Sequence, residues 1–155
     1  MEFDQIIRGF SQEFGIEGLE PDDEGSVRLD IDGMTVEVLH DAAAGRIMLC
    51  AEIGEPPPEG SDRFAAVLLR ANFLFQGTDG ATMAQNPETK NYALILPLEL
   101  ASLDVAGFSD RLGKFVDGIE RWQKMLEDFR DADAAAEESE ASDITPFSDN
   151  GFMAV

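Results

Sequence analysis

Apolar residues recur every three or four positions at Phe3, Ile6, Ile7, Phe10 and Phe14, so residues 3–14 predict an amphipathic helix. Gly15 suits its C-cap, because glycine adopts the left-handed backbone there at no steric cost. Residues 15–25 are acidic and carry Gly and Pro, which predicts a loop. The period then changes to two. Val27, Leu29 and Ile31 alternate with polar residues, and Met34, Val36 and Val38 do so again. Asp32-Gly33 between them is a strong two-residue hairpin signal. After a turn at Asp41–Gly45, the segment Arg46–Ile53 is apolar on both faces, as a central strand is. Three consecutive prolines in Glu55–Gly60 exclude sheet pairing and predict a stiff connector of polyproline II character.

Ser61 or Asp62 is placed to cap a second helix running to Gln76, which Gly77 and Gly80 break. Ala81–Gln85 and Tyr92–Leu96 predict two strands with a turn at Asn86–Asn91. A last helix starts at Ser102 or Asp104. Its Phe108, Leu112, Phe115, Val116, Ile119, Trp122, Gln123 and Leu126 define one broad apolar face, expected to be core. The order α-β-β-β-α-β-β-α is that of an α+β fold. The stretch Leu68–Leu100 has more apolar positions than a small domain needs for its own core and almost nothing that could do chemistry. It points to a surface for holding another polypeptide.

Composition changes the picture at two points. The 155 residues fit one domain, yet 32 acids face 11 bases, a net charge of −21. Such a field repels phosphate backbones and anionic membranes, so nucleic-acid binding is not expected and a basic or hydrophobic protein partner is. The character also changes after Phe129. Residues 1–130 are expected to form the domain, and 131–155 an acidic, flexible tail with no base. Within that tail, 131–143 has the Ala, Asp, Glu and Ser composition of a disordered linker, followed by Ile144, Phe147, Phe152, Met153 and Val155. The N-terminus lacks the pattern of a secretory signal, and no apolar run reaches the roughly 18 residues a membrane helix needs. The expected location is the cytoplasm, without membrane insertion.

Candidate chemistry is thin. His40 has no Cys or His neighbour in sequence and reads as a structural residue rather than a metal ligand or acid–base group. Cys50, the single cysteine, excludes an internal disulfide and reads as a buried thiol. Asp30-Ile31-Asp32-Gly33 lacks the remaining ligands of a calcium loop, and Gly77-Thr78-Asp79-Gly80 lacks the Gly-Lys-Ser/Thr ending of a phosphate loop. Acidic runs such as Asp22-Asp23-Glu24 read as solvated loop. No catalytic residue and no metal site is expected, and the protein is not read as an enzyme. The Phe-rich first helix is either plain core or core with one exposed binding edge.

Three blocks together resemble the CesT/Tir-type, or class I, chaperones of bacterial type III secretion. They are Leu68-Leu69-Arg70-Ala71-Asn72-Phe73, Gly77-Thr78-Asp79-Gly80-Ala81-Thr82-Met83 running into Asn86-Pro87-Glu88-Thr89, and the helix face Phe108 to Leu126. The resemblance spans residues 3–129 and implies a twisted antiparallel sheet packed with helices. It further implies a bacterial cytoplasmic homodimer that binds the N-terminal segment of a secreted effector in extended form, with no cofactor and no ATP. By the same analogy Leu68, Ala71, Phe75 and Met83 lie at the dimer interface, and Ile6, Phe10, Leu29, Val36, Val38 and Met48 bind effector. The dense prolines Pro56–Pro58 and the tail after Phe129 depart from the family's pattern. The tail is either disordered or folds back to place Phe147 and Phe152 in the effector groove. A same-fold regulatory module that sequesters a transcriptional regulator or anti-activator is the alternative function.

Overall fold

A computed structural model describes the backbone of residues 1–143 and the side chains of residues 1–139. Helix α1, Phe3–Phe14, opens on a reciprocal capping box. The Glu2 carboxylate accepts from the Gln5 backbone N–H, and the Gln5 side chain accepts from the Glu2 N–H at 3.0 Å. Gly15, at φ 64°, ends the helix in the left-handed region. Strands β1, Ser26–Ile31, and β2, Met34–Asp41, form a hairpin through Asp32 and Gly33. Both turn residues have positive φ, 50° and 80°, as a two-residue turn matched to the strand twist requires. Strand β3, Arg46–Gly54, pairs with β2 and with β5, Tyr92–Glu99, and β4, Thr82–Gln85, pairs with β5. The five strands lie in the order β1-β2-β3-β5-β4, every pair antiparallel, with β1 and β4 at the two edges.

Alternation decides what the sheet buries. Val27, Leu29, Val36, Val38, Ile47, Leu49, Leu96 and Leu98 face one side and join a single core with α1 and with α3, Val105–Asp143. Phe10 and Phe108 meet edge to face at 5.3 Å between ring centroids, joining the two helices. Phe108, Leu112, Phe115, Val116, Ile119, Trp122 and Leu126 of α3 are all buried, at roughly 1.5–3 kcal/mol for each fully buried large apolar side chain. Asp104 caps α3: its carboxylate accepts from the Gly107 N–H at 2.7 Å.

The structure departs from the sequence expectations in three places. Helix α2, Ser61–Asn72, has Gly60 as its N-cap at φ 71°, and neither Ser61 nor Asp62 makes a side-chain cap. The α-helix also stops at Asn72 rather than Gln76. Phe73–Phe75 forms a short 3-10 turn in which Leu74 and Phe75 take φ 52° and 56°. Finally, residues 131–143, expected as a disordered linker, continue α3 as helix. Ala132, Ala134, Ala135 and Ala136 with Glu137 and Glu138 are strong helix formers, and the extension is tied down. The Arg63 guanidinium pairs with Asp133 at 2.5 Å and lies over the Phe129 ring, and Arg130 donates to the Glu55 carbonyl of the proline connector. The apolar residues Ile144 to Val155, and with them the fold-back of Phe147 and Phe152, lie outside the described residues.

Candidate partner-binding surfaces

Two surfaces flank the sheet. At the β1 edge, α1 and the loop of residues 15–25 enclose an open groove of about 650 Å³. Its base is Phe3, stacked on His40 with ring centroids 4.6 Å apart and planes 12° from parallel. Asp22 shapes the loop where it enters β1, accepting from the backbone N–H groups of Glu24 and Ser26 at 3.0 and 2.8 Å. His40, expected as a structural residue, is partnered by an aromatic ring. Among the strands β1 pairs only with β2; on its other side Asp22 takes both the N–H and the C=O of Ser26, at 2.8 and 2.9 Å, and the strand beyond, at Arg28 and Asp30, is open to a further strand.

At the opposite edge, α2 lies against β4. Asn72 fixes the contact: its amide donates to the Met83 carbonyl at 3.1 Å and accepts from the Met83 N–H at 2.8 Å. The Trp122 indole donates to the Gly77 carbonyl at 3.2 Å, holding the following turn against α3. Gly77 is required there, because a Cβ would come 2.9 Å from the Ala71 backbone. Between α2 and α3 runs an open groove of about 710 Å³, lined among others by Val67, Ala71, Phe75, Trp122 and Met125. Phe75, 53% exposed, and Met125, 40%, line it; Leu69, Phe73 and Leu74, each 70% exposed, belong to α2 and the turn after it but not to the groove lining. Four of these five large exposed apolar residues fall within Leu69–Phe75, a concentration that scattered singletons do not explain.

The sequence-derived site residues divide by face. Ile6, Phe10, Leu29, Val36 and Val38 are buried in the core and present no surface to an effector in this conformation. Met48 alone of the six is half-buried on the outer face of the sheet. There it stands between Leu39 and Pro97 in register, beside a row joining Cys50 and Ile95. Leu39, Ile95 and Pro97 were missed because they sit at the less apolar positions of their strands. At the other edge Leu68 and Met83 are buried, Ala71 is half-buried and Phe75 is exposed. Leu69, Phe73, Leu74 and Met125 are large exposed residues here that the sequence did not single out as interface positions, although the first three lie in the stretch Leu68–Leu100 expected to hold a polypeptide. The run Phe73-Leu74-Phe75 just before Gly77 was the available signal.

Burial pushes the Cys50 thiol up, and the Glu37 and Glu52 carboxylates add to the effect, which favours the protonated thiol near neutral pH. It is half-buried rather than buried. Glu52 is held below the usual carboxylate range by the Thr89 hydroxyl and then the Asn91 amide, with a smaller contribution from Asn86; the donors lie at 2.6, 2.7 and 2.9 Å. This is a structural clamp on the β4–β5 turn. Among the described residues no group of three or more His, Cys, Asp or Glu could hold a metal ion, and no helix is long and apolar enough to cross a membrane.

Similarity agrees with this geometry. The ExsC–ExsE complex contains a chain 25% identical, with a TM-score of 0.68, covering 79% of this chain and 92% of that one. The HopA1–SchA chaperone–effector complex aligns at 17% identity and a TM-score of 0.61, covering 79% and 91%. The Yersinia pestis type III secretion chaperone SycH, in complex with a stable fragment of YscM2, aligns at 16% and 0.63, covering 77% and 98%. The last two likenesses bear on the fold alone. No curated protein sequence matches the chain. The Tir chaperone protein (CesT) family matches residues 5–123, more than half of the chain, and the chain belongs to that family.

Proposed function

We propose that this protein is a type III secretion chaperone of the bacterial cytoplasm that works as a homodimer. It binds the N-terminal segment of a secreted effector and keeps it soluble and competent for export. One observation carries the reading: a chain of the CesT family leaves surface uncovered at opposite edges of one sheet, a strand edge open beyond Ser26 with a groove at its start, and a run of exposed apolar residues at Leu69–Phe75. The apolar patch of Leu69, Phe73, Leu74, Phe75 and Met125 suits a second copy. The β1 edge, the groove beside α1 and the outer row of Leu39, Met48 and Pro97 suit an extended client, which would gain main-chain hydrogen bonds and side-chain contacts together. No ATP, cofactor or catalytic group enters this role. Sequestration of a transcriptional regulator or anti-activator would use the same surfaces, and no observation favours it over the chaperone role.

Co-expression with proteins encoded by neighbouring open reading frames tests the reading. A true client is captured through its N-terminal segment alone, and hydrogen exchange in the complex shows new protection at the edge-facing amides of β1, Arg28 and Asp30. Failure of every candidate's N-terminal segment to bind, or protection confined to the β4 edge, overturns it.

A further inference from the structure

The groove between α1 and the loop of residues 15–25 has a charge pattern that the chaperone reading does not require. The loop carries Glu17, Glu20, Asp22, Asp23 and Glu24 and no Lys or Arg. Asp4 on α1, with Glu20, Asp22 and Asp23 on the loop, lines the groove, against one cation, Arg8. Asp22 is committed to two backbone amides. No ion pair among the described residues engages Asp4, Glu20 or Asp23, although five ion pairs form elsewhere on the surface. Between the carboxylates Leu19 and Pro21 are half-buried and offer apolar surface, with Phe3 and Ile7 beneath. A mixed lining of this kind, with Leu19 and Pro21 beside carboxylates that form no ion pair, suits a long cationic side chain, whose methylene stem needs cover and whose head needs counter-charge.

We propose that this groove takes a Lys or Arg side chain of the client, next to the residues that the client lays along the β1 edge. The inference rests on the chaperone reading and adds the client's chemistry to it. The loop that walls the groove leads directly into β1 at Ser26, and Gly25 lines the groove, so the groove lies at the start of that strand. The volume, about 650 Å³, falls within the range of ordinary ligand sites and accommodates more than one side chain. Charge complementarity selects among occupants. A second copy of this chain brings a net charge of −21, and residues 131–155 bring seven acids and no base. Both are repelled, and a basic segment of another protein is attracted.

The test uses the full chain and a display library of random short peptides. Peptides selected on the protein are expected to combine alternating apolar residues with at least one Lys or Arg. A selected peptide is then measured by fluorescence anisotropy against Glu20→Gln/Asp23→Asn and against Asp117→Asn/Glu120→Gln. The second variant makes the same change in net charge on the exposed face of α3. The groove variant should bind about three- to tenfold more weakly at low salt, the α3 variant should match the unmodified chain, and the difference should fade as salt rises. Circular dichroism checks that both variants fold, and the salt dependence of the unmodified chain supplies a second measurement that needs no variant. Selected peptides without basic residues, or equal weakening by both variants, overturn the inference while leaving the chaperone reading intact. If no peptide is selected at all, the peptide groove fails and both proposals fall.

Discussion

The two edges of the sheet solve different problems with different physics. At the β4 edge the surface is apolar and dense, with Leu69, Phe73 and Leu74 each 70% exposed. Contacts of that kind give affinity without direction, and they leave a soluble chain prone to non-specific association unless they are covered all the time. At the β1 edge the surface is a short stretch of backbone beyond Ser26 that pairs with no other strand, and at its start a groove rimmed by carboxylates. Backbone hydrogen bonds impose direction and register, and charges mainly accelerate encounter and select the partner. The difference separates a permanent contact from an exchangeable one. It matches a molecule that stays dimeric while its clients come and go.

The largest expected effect breaks the apolar side of that comparison. Phe73→Asp and Leu74→Asp each place a charge in both halves of a symmetric contact, and hot-spot losses of roughly 2–4 kcal/mol are expected for centrally placed aromatic and aliphatic residues. Light scattering after size exclusion should show a shift from dimer to monomer. Leu74→Asp is the cleaner probe, because Leu74 has φ 52°, a backbone that Asp tolerates better than Leu. Its monomer should be no less folded by circular dichroism. If both variants remain dimeric, the β4 edge is not the self-association surface and the comparison fails at its strongest point. Met83→Asp is a poor probe, because Met83 is buried and the substitution would attack the fold itself.

A smaller effect sharpens the same side. Asn72 satisfies both the N–H and the C=O of Met83, and through them it sets the angle of α2 on β4. Asn72→Ala leaves two part-buried backbone groups without that partner, at a cost of roughly 1–3 kcal/mol. Urea unfolding should show the loss. The dimer should weaken more than the affinity for a peptide bound at the β1 edge. Equal weakening of both would mean that the two edges are not independent.

How much of this was legible in the sequence depends on what each signal reports. Helical and strand periods report which face of an element is apolar, and that face is the core. The α1 stripe, the Asp32-Gly33 hairpin and the α3 face were therefore readable, and Ile6, Val36 and Val38 were readable as buried positions, although the analogy assigned them to the effector. A partner surface is by nature the less apolar remainder, so Leu39 and Pro97 left no periodic mark. The apolar patch depended on backbone geometry. A helix continued to Gln76 distributes Phe73, Leu74 and Phe75 around its circumference, whereas the positive φ at Leu74 and Phe75 turns them out together. The composition of residues 131–143 signalled low hydrophobicity correctly. It could not show that Arg63 would reach Asp133, or that alanine propensity would carry the helix on. The acidic loop was legible as sequence, but its role as the wall of a groove needed α1 placed beside it.

The smallest expected effect concerns pH and also falls on the β4 edge. Glu52 on β3 holds the β4–β5 turn through Thr89, Asn91 and Asn86, and these donors favour its charged form, so its folded-state value lies below the ordinary 4.5. A carboxylate depressed in this way contributes stability that is present above its unfolded value and is lost as pH falls through the folded one. Glu52 is partly exposed, so solvent screening keeps the contribution small. Glu52→Gln should therefore lower the urea midpoint slightly at pH 7, and the gap from the unmodified chain should close as pH falls below the ordinary carboxylate range. A gap that stays constant with pH would mean that the clamp acts by shape alone. Because the turn joins β4 to β5, the same acid range should loosen the dimer more in the unmodified chain than in Glu52→Gln. Light scattering across that range would show whether the permanent contact depends on this one carboxylate.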